Sequence, residues 1–575
     1  MALALDGRGN TNLRGHRSYF SVITKSLTTA FDNQGQNIFA DGSASGTVPE
    51  ITAKSKDLTW DRANGEITIR DAGVYLIICE YGLELDGSGT RQIGFHFKVN
   101  GTQAWPKSDV DMTQSTNKSL DPFGHTAVWL YEASAGDVIR PFIMGLASND
   151  CRISISSAFL VLKAEGNYGY AHVSTDSTSQ SVGANTEFLP FDSDNEDCTI
   201  VTGPTKNVSY TQTDGFFTLD SNPTIAHGHA LFLSSMNWLA ADDDGSAIIK
   251  LFYGSATALD ANDAIDGAFD SDGDAQTSSN VSDMTFTAHR TWDPGEITLA
   301  ALADYSTAGH KLYFSILPAS SQKILSQAGT SMLHFSVTNS NGADPNAFLS
   351  MVIDGLTAPK TNSGDLNVFD IDNWDYSESG AQQTTTGDFA HYCLPTGITL
   401  TESTGAFEVA TGGIYFVMWN MNMNTSTTGT RSLKIRKNNV VIYEKEWQVN
   451  AIVDPQENSC IIMLDLNSGD DLKFFINNIR GSGGGNGQIF EPHITIFKVD
   501  DVASHSLQDG TVAEKNIADD FTINTHAINT LSRQYDKVGD QVPFILGTRG
   551  PLSLRGREID STDKPLVVST GTKKT

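Results

Sequence analysis

No run of eighteen apolar residues occurs in the 575-residue chain, so no bilayer-spanning helix is expected. Charged residues make up only 18%, while glycine (51 residues), Ser, Thr, Asn and Asp are frequent. That balance belongs to short strands joined by polar turns rather than to helices rich in Glu, Lys and Leu. Cysteine is scarce and odd in number: Cys79, Cys151, Cys198, Cys393 and Cys460, with no Cys-x-x-Cys. No disulfide framework is implied, which suits folding in a reducing cytoplasm. Residues 1–6 lack the charged and apolar regions of a signal peptide, so export by the ordinary secretory route is not expected. Positive charge is also short, with 38 Lys and Arg against 68 Asp and Glu, a net charge of −30. A chain so acidic repels phosphate backbones and gains nothing at an anionic membrane, which argues against nucleic-acid partners and membrane insertion.

Catalytic signatures are missing as well. There is no Gly-x-Ser-x-Gly elbow, no His-Glu-x-x-His and no phosphate loop, so the chain reads as non-enzymatic and without a cofactor. His227 and His229 flank Gly228 in a pattern able to ligate zinc, but no third ligand is identifiable. The acidic clusters at 192–197, 242–244 and 270–274 are dense in hard oxygen ligands. The last departs from an EF-hand loop, because Ala275 stands where glycine is needed and Val281 where glutamate is needed. Adventitious calcium is the most these loops suggest.

What the chain has is an internal repeat. Residues 65–77 and 405–417 share the pattern Gly-x-apolar-x-apolar-x-x-x-Gly-β-branched-Tyr-apolar-apolar. It places Gly65, Gly73 and Tyr75 opposite Gly405, Gly413 and Tyr415. Downstream, an apolar run before Gly136-Asp137 matches one before Gly469-Asp470. Upstream, Tyr19-Phe20-Ser21-Val22 matches His334-Phe335-Ser336-Val337. A divergent copy lies between, carried by Gly215, Gly228 and a late turn read at Gly295. Ile67 and Ile69 alternate with polar residues as in a strand with one buried face. Residues 74–79 are apolar throughout, as in a strand buried on both faces. The glycines bracket these strands as turn positions.

The residues Phe20-Ser21-Val22, Gly65, Ile67, Ile69, Gly73-Val74-Tyr75, Leu130, Gly136-Asp137, Ile139, Ile153, Ile155, Ser156-Ser157 and Phe159 resemble the complement globular-head and tumour-necrosis-factor-like jelly-roll family. The resemblance implies ten-stranded sandwiches that associate as trimers, and binding rather than catalysis. It predicts an all-β chain of three tandem jelly-roll β-sandwiches: an N-terminal arm over 1–17, sandwiches over 18–166, 167–325 (divergent) and 326–500, and a C-terminal arm over 501–575. No collagen-like stem is present, and the third copy carries an insertion near 341–395. Short connections near residues 165–170 and 318–331 predict sandwiches standing side by side as an intrachain pseudo-trimer, with a homotrimer of stacked layers as the alternative.

The arms are basic against this acidic body. Arg8, Arg14 and Arg17 face Asp6 in the first, and Arg549, Arg555 and Arg557 stand in the second. The spacing Arg8-Gly9-x-x-x-Leu13-Arg14-Gly15 is repeated by Arg549-Gly550-x-x-x-Leu554-Arg555-Gly556. These arginines are the candidate docking residues. The functional expectation is a structural virion protein, most plausibly of a bacteriophage: a capsid decoration, head fibre or tail-associated knob, made in the host cytoplasm. Its partners would be other virion proteins, with loops available for a host glycan or protein. The alternatives are an extracellular or cell-surface adhesin and, more distantly, a carbohydrate-active enzyme.

Overall fold

The computed structural model describes residues 4–5, 11–12, 17–25, 30–31, 37–41, 48–55, 57–85, 93–105, 123–145, 151–153, 157–173, 180–182, 191, 199–213, 215–239, 246–254, 284–287, 294–304, 308–318, 322–324, 329–339, 342–353, 356–359, 364–375, 389–425, 429–449, 453–477 and 488–500. Antiparallel strands dominate them, and the one helical element among them is a 3-10 turn at Ile371–Asn373.

The main sheets come in three successive pairs with one strand order. In each inner sheet an opening strand pairs with a closing strand, the closing strand with a long central strand, and the central strand with an edge strand. Opening strands are Tyr19–Lys25, Tyr168–Val173 and Phe348–Ile353. Closing strands are Ala158–Lys163, Ser331–Ser336 and Gln488–Asp500. Central strands are Gly73–Leu85, His229–Leu239 and Gly413–Thr425. Edge strands are Phe123–Ala133, Pro294–Asp304 and Val453–Leu466. The outer sheets repeat a single order too, and together the two sheets make a jelly roll.

Local rules build each layer. Outer-sheet strands Glu66–Ile69, Phe216–Leu219 and Ala406–Val409 alternate, burying Ile67 and Ile69, Phe217 and Leu219, and Phe407 and Val409. The central strands are buried on both faces over residues 74–81, 230–235 and 414–421, because one face meets the outer sheet and the other a neighbouring sandwich. Trp129 stacks on Phe97 at 5.8 Å, and Trp419 meets Phe474 edge-on at 5.4 Å, across the two layers.

Turns repeat with equal fidelity. Gly65, Gly215 and Gly405 precede the short outer strands at φ of 63°, 68° and 55°. An added Cβ at Gly65 would lie 2.7 Å from the Ala40 nitrogen, and at Gly405 2.6 Å from the Asp370 nitrogen. Beside them, the Asn37 side-chain amide donates to the Asn64 and Gly65 carbonyls and accepts from the Phe39 amide. Asn367 does the same with Thr404, Gly405 and Phe369. After the edge strand, the Gly136 amide donates to Ile69 O while Ile69 N donates to Asp137 O. Gly469 and Asp470 repeat this with Val409, and Gly309 and His310 repeat it with Leu219.

Three expectations are corrected. Ser331–Ser336 closes the second sandwich, pairing with Tyr168–Val173 and His229–Leu239, so the boundary near 325/326 falls too early. The third sandwich opens at Phe348–Ile353, inside the stretch read as an insertion. The error has a physical source: an opening and a closing strand are both buried at every position, as these two are, so neither shows the alternation that would set it apart. The late turn of the second copy lies at Gly309 rather than Gly295, which sits within the edge strand.

Each edge strand also packs on another sandwich. The first reaches the second sandwich's inner sheet, the second the third's, and the third the first's, while the three edge strands touch one another. One core cluster takes in buried side chains from all three sandwiches.

Candidate functional site

Chain direction gives the molecule two unlike ends. Each closing strand finishes beside the start of its central strand, as Lys163 beside Tyr75, Ser336 beside Ala230 and Asp500 beside Ile414. Each opening strand starts at that same end, as Tyr19 beside Leu162, Tyr168 beside Phe335 and Phe348 beside Phe497. The chain therefore enters and leaves every sandwich at one pole. Arg17, Glu165, Val337, Asp344, Asn346, Lys498 and Asp500 line a single cavity of about 120 Å³ there.

Arg17 is the centre of this pole. It is 3% exposed, and its Nη2 donates to Val337 O at 2.7 Å and to Thr338 O. Its Nε lies 3.9 Å from the Glu165 carboxylate. Burial pushes the guanidinium pKa down, and the charges of Glu165 and Asp500 oppose that shift. Arg17 thus ties the start of the first sandwich to the end of the second. This corrects its place among the docking residues, since these contacts hold it inside the fold. Asp344 accepts from the His229 amide and ring at 2.9 and 2.8 Å. Burial raises its carboxyl, but these bonds outweigh burial and hold it below the usual range.

The remaining predicted residues are structural where they are described. Gly73 and Gly413 open the central strands at φ of 157° and 156°. A Cβ on Gly413 would press on Asp500 O and come within 2.5 Å of Lys498 Cε. Tyr75 donates to Asp71 O at 2.7 Å and Tyr415 to Thr411 O at 2.5 Å, each reaching back four residues to pin the turn. Asp137 accepts from the Ser134 amide and from the Asn100 and Tyr131 side chains. Burial works to raise its carboxyl, and these bonds keep it below the usual range. Asp470 is held low in the same way by Lys437, Asn467 and Asn438. His227 bonds Asn167 and Asp220 O rather than sharing a ligand with His229. No cluster of three metal-ligating side chains occurs among the described residues. Arg8, Arg14, Arg549, Arg555, Arg557 and the three acidic clusters lie outside the described residues.

At the opposite pole, Leu85 pairs with Cys151, Gly145 with Ile93, and Thr425 with Val453. Strand ends of the first and third sandwiches are gathered there. The chain-end pole of the first and third sandwiches carries tight turns instead, such as Asn100-Gly101 and Asn438-Asn439, all at positive φ.

Among solved structures, murine APRIL at pH 5.0 is similar to this chain at 12% identity, covering 26% of this chain and 98% of its own, with a TM-score of 0.18. Murine APRIL at pH 8.0 gives 13%, 26%, 98% and 0.18. Eiger TNF from S. frugiperda gives 14%, 26%, 93% and 0.17. No family model and no curated protein matches the chain.

Sequence reasoning missed a set of buried polar residues between sandwiches. Glu80, Ser235 and Asn420 stand seven residues after Gly73, Gly228 and Gly413, in runs otherwise mostly apolar. A polar residue recurring at one repeat position was the available signal.

Proposed function

We propose that the chain is a non-enzymatic structural component of a virion, three tandem copies of one jelly roll closed on each other as an intrachain trimer. Its terminal arms attach it to the particle, and its loops are available to a host glycan or protein. The observation that carries this reading is the polarity: all three sandwiches are entered and left at one pole, where residues of each line the Arg17 cavity, and among the described residues the opposite pole carries no entering or leaving strand of a sandwich.

Three supports join it. Strand order, the glycine–aspartate turn bonds and the asparagine–glycine contacts recur at matching positions, as duplication of one unit would produce. The inner sheets are consumed by contacts within the chain, which leaves outer surfaces and arms for partners. The arms put arginine next to an acidic body, and guanidinium groups pair bidentately with carboxylates on a partner surface. Apolar residues of the arms, such as Leu5, Leu13, Phe544 and Leu554, suit strand addition at a partner's sheet edge.

The test is deletion of residues 1–16, of 545–575, or of both, keeping Arg17 because of its buried bonds. The truncated proteins should keep the thermal transition of the full chain and fail to join particles, or leave them as salt rises. Normal incorporation of the double truncation would overturn arm-mediated attachment.

A further inference from the structure

The three junctions between sandwiches are built at equivalent positions from different chemistry. In every junction the central-strand polar residue of one sandwich meets the edge strand of the sandwich before it in the cycle. Ser235 Oγ donates to Thr126 O at 2.6 Å, joining the second sandwich to the first. Asn420 Nδ2 donates to Thr298 O at 2.6 Å, joining the third to the second. Glu80 joins the first to the third: it accepts from Ile461 N at 2.9 Å, from Ser459 Oγ at 3.4 Å and from Lys445 Nζ at 2.7 Å. Lys445 also donates to Ser459 O at 3.1 Å. A second set of equivalent positions follows the same cycle. Ser21 accepts from Met463 N, Ser350 accepts from Leu302 N, and Tyr170 donates to Val128 O.

Connectivity separates these junctions. The first and second sandwiches are joined by the few residues between Lys163 and Tyr168, and the second and third by those between Ser336 and Phe348. No peptide connects the third back to the first, where the contacting residues are 365 apart in sequence. Each sandwich offers an inner sheet that a sandwich of another chain would also fit, so this unlinked junction is the one open to wrong closure. It is also the junction with a fully buried ion pair: Glu80 is 0% and Lys445 2% exposed. Placed against Thr126 or Thr298 instead, Glu80 would be a buried carboxylate without its lysine, a costly arrangement.

We propose that Glu80 and Lys445 select the partner at the open junction, so that the third sandwich, and no other, closes on the first and the chain matures as a monomer. The pair then acts chiefly by penalising wrong closures rather than by adding stability to the right one.

Two differently tagged full-length chains, unfolded together and refolded over a range of concentrations, test this. Wild type should return as 62.0 kDa monomers, with no capture of one tag through the other. The double variant Glu80→Gln with Lys445→Met removes both charges while Gln can still accept from Ile461 N and donate to Ser459 Oγ. It should melt near the wild-type temperature and give about tenfold more mixed-tag species, a loss of roughly 1.4 kcal/mol in discrimination. Lys445→Met alone strands a buried carboxylate and should melt lower. Ser235→Ala and Asn420→Ala, at junctions held by short connections, should not mix tags. The proposal is overturned by a double variant that stays as strictly single-tagged as wild type, by a wild type that mixes, by Lys445→Met melting like wild type, or by equal mixing in the Ser235 and Asn420 variants.

Discussion

Acid should loosen this protein through two buried histidines. His334 and His493 stand on the closing strands of the second and third sandwiches, each 1% exposed. Burial lowers both from an ordinary value of 6.5 to about 3, and for His334 the nearby His227 adds to the effect. The folded protein therefore keeps them neutral, while the unfolded chain protonates them below about pH 6.5. Their contribution is complete above that pH and falls as pH drops toward 3. Each unit of pH in that window removes about 1.4 kcal/mol per histidine, so at pH 5 the loss is about 2 kcal/mol each and about 4 kcal/mol together. Against a folding stability of roughly 5–15 kcal/mol, that is a large share. Asp137, Asp344 and Asp470 also destabilise on protonation, but their pKa values lie below 3.8, so their losses begin at lower pH. Urea unfolding at pH 7.5 and pH 5 isolates the histidines. The variant His334→Leu/His493→Leu should lose about 4 kcal/mol less than wild type between those two values. An identical pH dependence in the two proteins would refute the reasoning.

Other substitutions test the turns. Gly65→Ala and Gly405→Ala should each cost about 2 kcal/mol or more by thermal unfolding, because a positive φ coincides with a backbone clash, whereas Gly136→Ala, with open space around its Cβ, should cost about 1 kcal/mol. Gly413→Ala should cost more than Gly73→Ala, since the first meets a backbone carbonyl and the second only the flexible end of Lys163. Asp137→Ala should cost about 1–3 kcal/mol at pH 7 by the same measurement, through the loss of three hydrogen bonds to a charged group, and its difference from wild type should shrink below pH 3.8.

Much of each sandwich is a local matter, and local matters are legible in a sequence. Positive φ before a short strand selects glycine at 65, 215 and 405, period-two burial selects Ile67 and Ile69, and a carboxylate after the turn glycine ties down Asn100 or Asn438. These constraints act within a few residues or along one hairpin, so they leave a pattern that repeats along the chain. All-β architecture and the jelly-roll layers follow from that pattern. Membership of a sheet does not, because Ser331–Ser336 and Phe348–Ile353 are equally buried and only pairing across more than a hundred residues distinguishes a closing strand from an opening one. The fate of Arg17 was undecided by its neighbours in sequence, since its acceptors Val337 and Thr338 lie some 320 residues away. Glu80 stands out in its apolar strand, but nothing near it in the chain names Lys445 as the partner. Short-range sterics and hydrogen bonding, acting between residues close in the chain, set the unit, its strands and its turns. Where one unit ends, which charges are buried and which sandwich meets which emerge only in the folded chain, because they depend on desolvation and packing between segments far apart in sequence.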